Sequence, residues 1–343
     1  ATSLLDEIGP WLPTEWTWVT EVGTEIDNLR AIVNLLPDGR QELAQAIACS
    51  IGRYHDATQS FREGIQELTR YAKAFTHPSP VRVALLAQLA TLHLRTGDTD
   101  VASELLASAR QVEKEHGAPD WDDVAVDRAR GEIARRRDDP QRAAEIARTA
   151  LDRNLTDRGR SRMLNLLGTS LAALGDFAGA QRALHEQLEI TRRLGFEASI
   201  ASAHGNLAET ALRLGELERA AHHQRACLDL AMEQGSQAMV AFSLIVAARL
   251  AGSDEDLSMA VRLHARADAM LDELGLSLYE DDQRQSDKLL SSAHQELGKQ
   301  RFHDLLEEGR RLTIPAATEL ADGVFGAISG AEVDLRDDHT AMT

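Results

Sequence analysis

The chain has 343 residues, of which 43% are hydrophobic, enough to build an extensive packed core. Only 4% are aromatic and 8 are proline, which argues against a β-sandwich or β-barrel. The 55 acidic residues outnumber the 37 basic ones and give a formal charge of -18, so nucleic acid is not expected to bind directly. Alanine, leucine, arginine and glutamate are abundant, and these residues favour an all-α protein.

The sequence also bears on the compartment of the protein. No apolar run approaches the ~20 residues that cross a bilayer, so no membrane partner is expected. Residues 1–10 lack the basic start and apolar core of a signal peptide. Cys49 and Cys227, the only cysteines, lie in amphipathic patterns typical of core residues in a reducing compartment. These features predict a cytoplasmic protein.

The chain opens with a segment at residues 1–41 that we interpret as an N-terminal cap and linker. Its tryptophan-rich, loop-like character disfavours a helix-turn-helix. Trp11, Trp16 and Trp18 either cover the first repeat or form a docking patch for a preceding domain, and the pattern favours the cover.

Three copies of one pattern occupy the middle of the chain. Each has a small residue, a glycine seven positions later and an alanine five positions after that. The glycine is expected to end a first helix in the left-handed conformation, and the alanine to let a second helix approach closely. The glycines and alanines are Gly97, Gly175 and Gly215, and Ala102, Ala180 and Ala220.

Weaker copies fill the gaps between the clear ones. They use Gly52 with Gly64, Gly131 with Ala143 and a turn at 138–140, and Ala248 with Ala260 and a bend at 252–254. The six anchor residues then recur in steps of 37 to 41 residues. This period exceeds the ~34 residues of the simplest tetratricopeptide unit, and it favours pairs with a lengthened second helix.

One helix pair cannot bury its apolar stripe alone, so neighbouring pairs must stack. The sequence predicts a right-handed superhelix (an α-solenoid) of about six to seven tetratricopeptide-type helix pairs with a concave face. The array is predicted at residues 42–275. C-terminal capping helices follow at 276–325, with helices at 279–297, 301–312 and 315–325, and a flexible tail at 326–343.

The repeats at 164–187 and 204–227 resemble bacterial tetratricopeptide repeats of the longer type. The segment at 25–31 resembles the one that joins a winged-helix element to a helical-repeat arm in actinobacterial-type signal-transduction ATPase regulators, including the LuxR and antibiotic-regulatory types. The segment at 297–317 resembles the last helices of such arms. The resemblance implies a sensor or regulatory arm that binds a protein, a peptide or the ATPase core of its own full-length chain.

The sequence contains no Walker-type phosphate-binding motif. The resemblance therefore leads us to expect that the native gene continues upstream of Ala1 into a nucleotide-binding module. The alternative is a free-standing tetratricopeptide adaptor or peptide-pheromone receptor.

Alignment of the copies by their anchors places ten polar residues on the inward, concave side of the first helices. Arginine forks and asparagine amides there can bind the backbone or the carboxylates of an extended peptide. The same residues can also solvate the groove or pair with one another, as Glu209 and Arg213 would at i,i+4 spacing. The ten are Arg53, Arg95, Arg128, Glu132, Asn165, Thr169, Asn206, Glu209, Arg213 and Arg249.

Neither a metal site nor an active site is predicted, and no cofactor is expected. The adjacent His222 and His223 point to different sides of a helix, and the half-motif at 185–189 has a glutamate where a zinc protease has its second histidine. We interpret these histidines as exposed helix residues. No nucleophile with a base and an orienting group stands out, so we expect a non-catalytic protein.

Overall fold

The computed structural model describes residues 15–36, 38–58, 60–118 and 124–330. All regular structure in these ranges is helical, which confirms the all-α prediction. None of the described helices is long and apolar enough to cross a membrane. The N-terminal part of the chain contains α1 Glu15–Leu35, α2 Gln41–Ala57, α3 Phe61–Ala74, α4 Pro80–Arg95, α5 Thr99–His116, α6 Ala125–Arg136, α7 Pro140–Leu151 and α8 Asp157–Ala173. The remaining ones are α9 Phe177–Leu194, α10 Glu197–Leu214, α11 Leu217–Glu233, α12 Gln237–Ser253, α13 Leu257–Leu274, α14 Glu280–Leu297, α15 Lys299–Arg310 and α16 Ile314–Ser329.

The six anchor residues occupy one equivalent position in the fold. Each is the fourth residue of the second helix in its pair, from Gly64 in α3 to Ala260 in α13. The five alanine anchors are 0% exposed, because a methyl group is all that fits where the paired helices approach. Gly168, the small residue of one clear copy, shows the same limit, since an ideal Cβ there would lie 2.6 Å from Leu184 Cγ. The predicted stacking of helix pairs therefore follows the repeat.

The residue seven positions after the small one carries a positive φ in every copy from α4 onward. Gly97, Gly175 and Gly215 have φ values of 86°, 81° and 76°, as their predicted role requires. In the two weaker copies, Asp138 (φ 55°) and Glu255 (φ 65°) take this conformation without being glycine. The left-handed turn thus belongs to the repeat itself.

The predicted bend at 252–254 is placed too early. Gly252 lies within α12, and the left-handed residue of this turn is Glu255. An ideal Cβ on Gly252 would overlap the side chain of Leu289 in α14. This glycine is therefore required for close helix packing rather than for the turn.

The described chain divides into two compact units, residues 1–200 and 201–343. In unit 1, each helix from α1 to α8 packs against the next one in the chain, so that the series ends at α9. The first helices of successive pairs also touch, α2 with α4, α4 with α6 and α6 with α8. This is the packing expected of stacked helix pairs.

The sequence predicts a loop-like N-terminal segment, but its residues 15–35 form the helix α1. Glu67 of α3 anchors this helix, accepting hydrogen bonds from Arg30 Nη2 (2.9 Å), His55 Nε2 (3.0 Å) and the Tyr71 hydroxyl (2.9 Å). Burial raises the pKa of Glu67, but the hydrogen bonds from His55, Arg30 and Tyr71 outweigh burial and lower this pKa to about 2. The predicted tryptophan cluster, Trp11 with the side chains of Trp16 and Trp18, lies outside the described residues.

In unit 2, the apolar helix α12 packs against α11, α13, α14 and α16. The C-terminal helix α16 returns to α11, α12 and α13, and its Phe325 is 0% exposed in their shared core. This helix runs to Ser329, past the predicted start of the tail at residue 326, and residues 331–343 lie outside the described ranges. The domain boundaries beyond these bounds stay a prediction.

Candidate partner-binding site

Half of the ten predicted site residues form one column of the repeat. Each of these five lies eleven residues before an anchor, on the first helix of its pair. Since the anchors are structurally equivalent, the column members occupy equivalent points of α2, α6, α8, α10 and α12. The column consists of Arg53, Glu132, Thr169, Glu209 and Arg249.

Two neighbouring members of the column, Glu209 of α10 and Arg249 of α12, form a direct ion pair. Arg249 Nη1 donates to Glu209 Oε2 at 2.5 Å, and only 9% of the Arg249 side chain is exposed. The other oxygen of Glu209 accepts from Arg213 Nε at 3.0 Å, the pairing that the i,i+4 spacing predicts. Asn206 lies one turn earlier on α10 and is half-buried.

The cluster also includes Asp281, a residue that the repeat alignment does not predict. Asp281 lies in the first turn of α14 and accepts a hydrogen bond from Arg213 Nη2. Three consecutive acidic residues form the first turn of this helix. This acidic run is the feature of the sequence that could have drawn attention to Asp281. The ion pair joins α10 to α14, and one complete helix pair, α12 with α13, lies between these two helices in the chain. A local sequence pattern cannot reveal such a contact.

Glu209, Arg213, Arg249 and Asp281 thus form a four-residue cluster, named here the unit 2 cluster, and Asp281 also pairs with Arg284 at 3.5 Å. Between 9% and 20% of each side chain is exposed. Burial lowers the pKa of Arg213, but hydrogen bonds and attraction from Glu209 and Asp281 outweigh burial and raise it. Both arginines present planar guanidinium groups, whose fixed fork of N–H donors suits carboxylates.

The six candidates in unit 1 lie on the first helices α2, α4, α6 and α8. Arg95 of α4 pairs with Asp56 of α2 at 3.0 Å, and Glu132 pairs with Arg136 within α6 at 3.1 Å. The Thr169 hydroxyl donates to the Asn165 backbone carbonyl at 2.9 Å and is therefore engaged within its own helix. The remaining members, Arg53, Arg128 and Asn165, are half-buried on the first helices α2, α6 and α8.

One histidine expectation is wrong. His223 is buried, not exposed, because its side chain faces the preceding helix. There its Nδ1 lies 3.0 Å from Nδ1 of His204. His222 is exposed as expected. Among the described residues, no three His, Cys, Asp or Glu side chains are arranged to hold a metal ion. Cys49 and Cys227 are buried thiols that form no disulfide, and burial raises the pKa of Cys227 to about 11.

Comparisons with known proteins bear on the fold. No protein-family model and no curated protein sequence matches the chain. Among solved structures, the chain is similar to a Rap protein crystallised in complex with competence and sporulation factor, with 12% sequence identity and a TM-score of 0.51. The similarity covers 89% of this chain and 99% of the Rap chain. At this identity the likeness shows the fold alone, a tetratricopeptide-type helical repeat.

Proposed function

We propose that this chain is a non-catalytic helical-repeat domain that binds a peptide or protein segment and serves as the regulatory arm of a larger ATPase-type regulator. The unit 2 cluster carries the binding part of the proposal. The resemblance of residues 25–31 and 297–317 to regulator arms supports the second part.

The cluster supplies both the ligand contacts and a means of responding to them. An incoming carboxylate would compete with Asp281 or Glu209 for the guanidinium forks of Arg213 and Arg249, and Asn206 would take a backbone amide. Displacement of Asp281 would break the ion pair that ties α10 to α14. Ligand binding would therefore change how the first helices of unit 2 are held, which is the change that a regulatory arm must transmit.

The binding part is tested by selecting peptides on the purified chain from a display library and measuring their affinity by fluorescence anisotropy. Arg249→Gln should weaken a selected peptide about 10-fold, the value of one charge-assisted contact. Arg219→Gln is the matched control, since this arginine is exposed on α11, outside the cluster, and pairs with Glu216 at 2.8 Å. Peptides that bind the Arg249→Gln and control variants equally well would exclude the cluster as the site.

The regulatory part is tested on the native gene. We expect the reading frame to encode a nucleotide-binding module upstream of Ala1, and a selected peptide to change the ATPase rate of the full-length protein. A native start codon close to Ala1 would count heavily against this part and leave the binding part intact.

A free-standing peptide-pheromone receptor or adaptor is the second candidate. It is favoured by the likeness to the Rap protein, which spans 99% of that chain. Tight peptide binding without any linked ATPase would support this candidate over the regulatory arm.

A further inference from the structure

Unit 1 contains an arginine-lined pocket that the proposed function does not use. Its volume is about 230 Å³, and it lies between α5, α6 and α7. Arg110 comes from α5, Arg130 from α6, Arg142 from α7, and Arg153 follows the end of α7. In a chain with a formal charge of -18, four arginines from separate elements meet at one place.

The carboxylates in the pocket do not balance its arginines. Asp127 lies between two of them, 2.8 Å from Arg153 Nη2 and 3.7 Å from Arg130 Nη1. Glu145 pairs with Arg142 at 3.0 Å. Arg110 forms no hydrogen bond or ion pair with any residue in the described part of the chain. Glu113 of α5 also interacts electrostatically with Arg110, Arg130 and Arg153, so four guanidinium groups face three carboxylates.

Arg130 is the least exposed of the four pocket arginines, and burial together with the positive charge of its neighbours lowers its pKa. Only 29% of the Arg130 side chain is exposed. Burial lowers the pKa of Arg130, and repulsion from Arg110 and Arg142 lowers it further, although attraction to Asp127 and Glu113 opposes the shift. A bound anion would relieve this repulsion, and it would find planar, bidentate donors already gathered.

The neighbouring surface indicates what kind of anion fits. A second cavity of about 430 Å³ shares Arg110, Arg130 and Arg142 with the pocket. It has an apolar floor, lined by Leu106, Ala107, Ile133, Ala134 and Ile146. An amphipathic ligand that pairs carboxylates with an apolar group matches both cavities at once.

A phosphate group matches less well. The N-terminus of α7, which could otherwise bind a phosphate, is capped by Asp139, whose carboxylate accepts from the Arg142 backbone N–H at 2.9 Å. The acidic wall residues Asp127 and Glu145 would also repel the two charges concentrated on one phosphate group more strongly than carboxylates spaced along a peptide.

We infer that this pocket binds the carboxylates of an acidic peptide segment whose apolar side chain rests on the adjoining floor. The inference shares with the proposed function the premise that the chain binds peptides, but it assigns a different site, in unit 1, and a defined ligand chemistry.

The experiment measures binding of a fluorescein-labelled peptide, Asp-Leu-Asp-Leu, to the full chain by anisotropy. Arg110→Gln should weaken binding about 10-fold, because this exposed arginine has no hydrogen bond or ion pair to lose. Arg148→Gln on α7 is the matched control, since Arg148 is exposed and does not line the pocket. Replacing both peptide aspartates with asparagine should abolish binding, and raising the salt concentration should weaken it.

Equal affinity of wild type and Arg110→Gln, or of the aspartate and asparagine peptides, would overturn the inference. So would complete displacement of the peptide by inorganic phosphate at a lower concentration than acetate requires. Loss of binding in Arg249→Gln with none in Arg110→Gln would assign the peptide to the unit 2 cluster. That result would refute this site while leaving the proposed function standing.

Discussion

Replacing Glu255 by glycine should stabilise the protein, because Glu255 occupies the position that glycine fills in the clear repeats. Its φ of 65° lies in the left-handed region, which costs a side-chain-bearing residue roughly 1–2 kcal/mol. Glycine removes that cost but loses roughly 0.5–1 kcal/mol through the greater freedom of the unfolded chain. The Glu255 side chain is exposed and makes no hydrogen bond or ion pair within the described ranges, so nothing else is lost. The expected net gain is about 0.5–1 kcal/mol.

The gain is measured by urea unfolding followed by circular dichroism, supported by thermal unfolding. A gain of this size should raise the melting temperature of the transition that reports on unit 2 by about 1–4 °C. Asp254→Gly is the matched control, because Asp254 has a φ of -94° and gains nothing from glycine. It should lose about 0.5–1 kcal/mol.

The opposite change tests the same reasoning from the other side. An ideal Cβ on Gly215 would meet no atom within 4 Å, so Gly215→Ala changes only the backbone cost at a φ of 76°. It should destabilise the protein by about 0.5–1 kcal/mol, because the reduced freedom of the unfolded chain offsets part of the left-handed cost of roughly 1–2 kcal/mol. If Glu255→Gly destabilises the protein as much as Asp254→Gly does, the left-handed turn is not a property of the repeat and the reasoning is refuted.

Three further predictions concern packing, pH and thiol chemistry. Gly309→Ala should cost about 1–3 kcal/mol in urea unfolding, since an ideal Cβ would lie 2.9 Å from the Arg262 Cα, whereas Gly323→Ala, with no atom within 4 Å, should be neutral or stabilising. Because the pKa of Glu67 is lowered from 4.5 to about 2 on folding, its stabilisation is full above pH 4.5 and disappears as the pH falls towards 2. Glu67→Gln should therefore flatten the loss of stability between pH 5 and pH 2, and an unchanged slope would refute the assignment. Cys227 should react with a thiol reagent at pH 8 only after unfolding, and rapid labelling of the native chain would contradict its burial.

Much of the repeat could be read from the sequence because each signal is local. The turns at Gly97, Gly175 and Gly215 could be predicted because glycine adopts the left-handed backbone conformation with little free-energy cost. Ala102 and Ala220 mark close approaches because two helices can come together only where a small side chain replaces a larger apolar one. A turn is predicted at 138–140, but the left-handed conformation of Asp138 and Glu255 could not be recognised from residue type, because residues other than glycine rarely adopt it.

The candidate site was predicted less completely than the fold. The column of residues that lie eleven positions before an anchor could be predicted from the repeat. The pairing of Glu209 with Arg213 could be predicted from their spacing on one helix. The partner Asp281 lies 68 residues from Arg213, so its role depends on how three helix pairs stack. The burial of His223 against His204 likewise required the neighbouring helix.

The amino-acid sequence by itself determined the helical class, the period of the repeat and the residues at which paired helices meet, because helix propensity, turn conformation and side-chain size act over short distances along the chain. Only the tertiary structure decided which charges neutralise each other, which arginines gather around the unit 1 pocket, and that α16 returns to α11 and α12. Electrostatic attraction, repulsion and burial depend on distances through space, and residues far apart in sequence acquire those distances only when the helices pack.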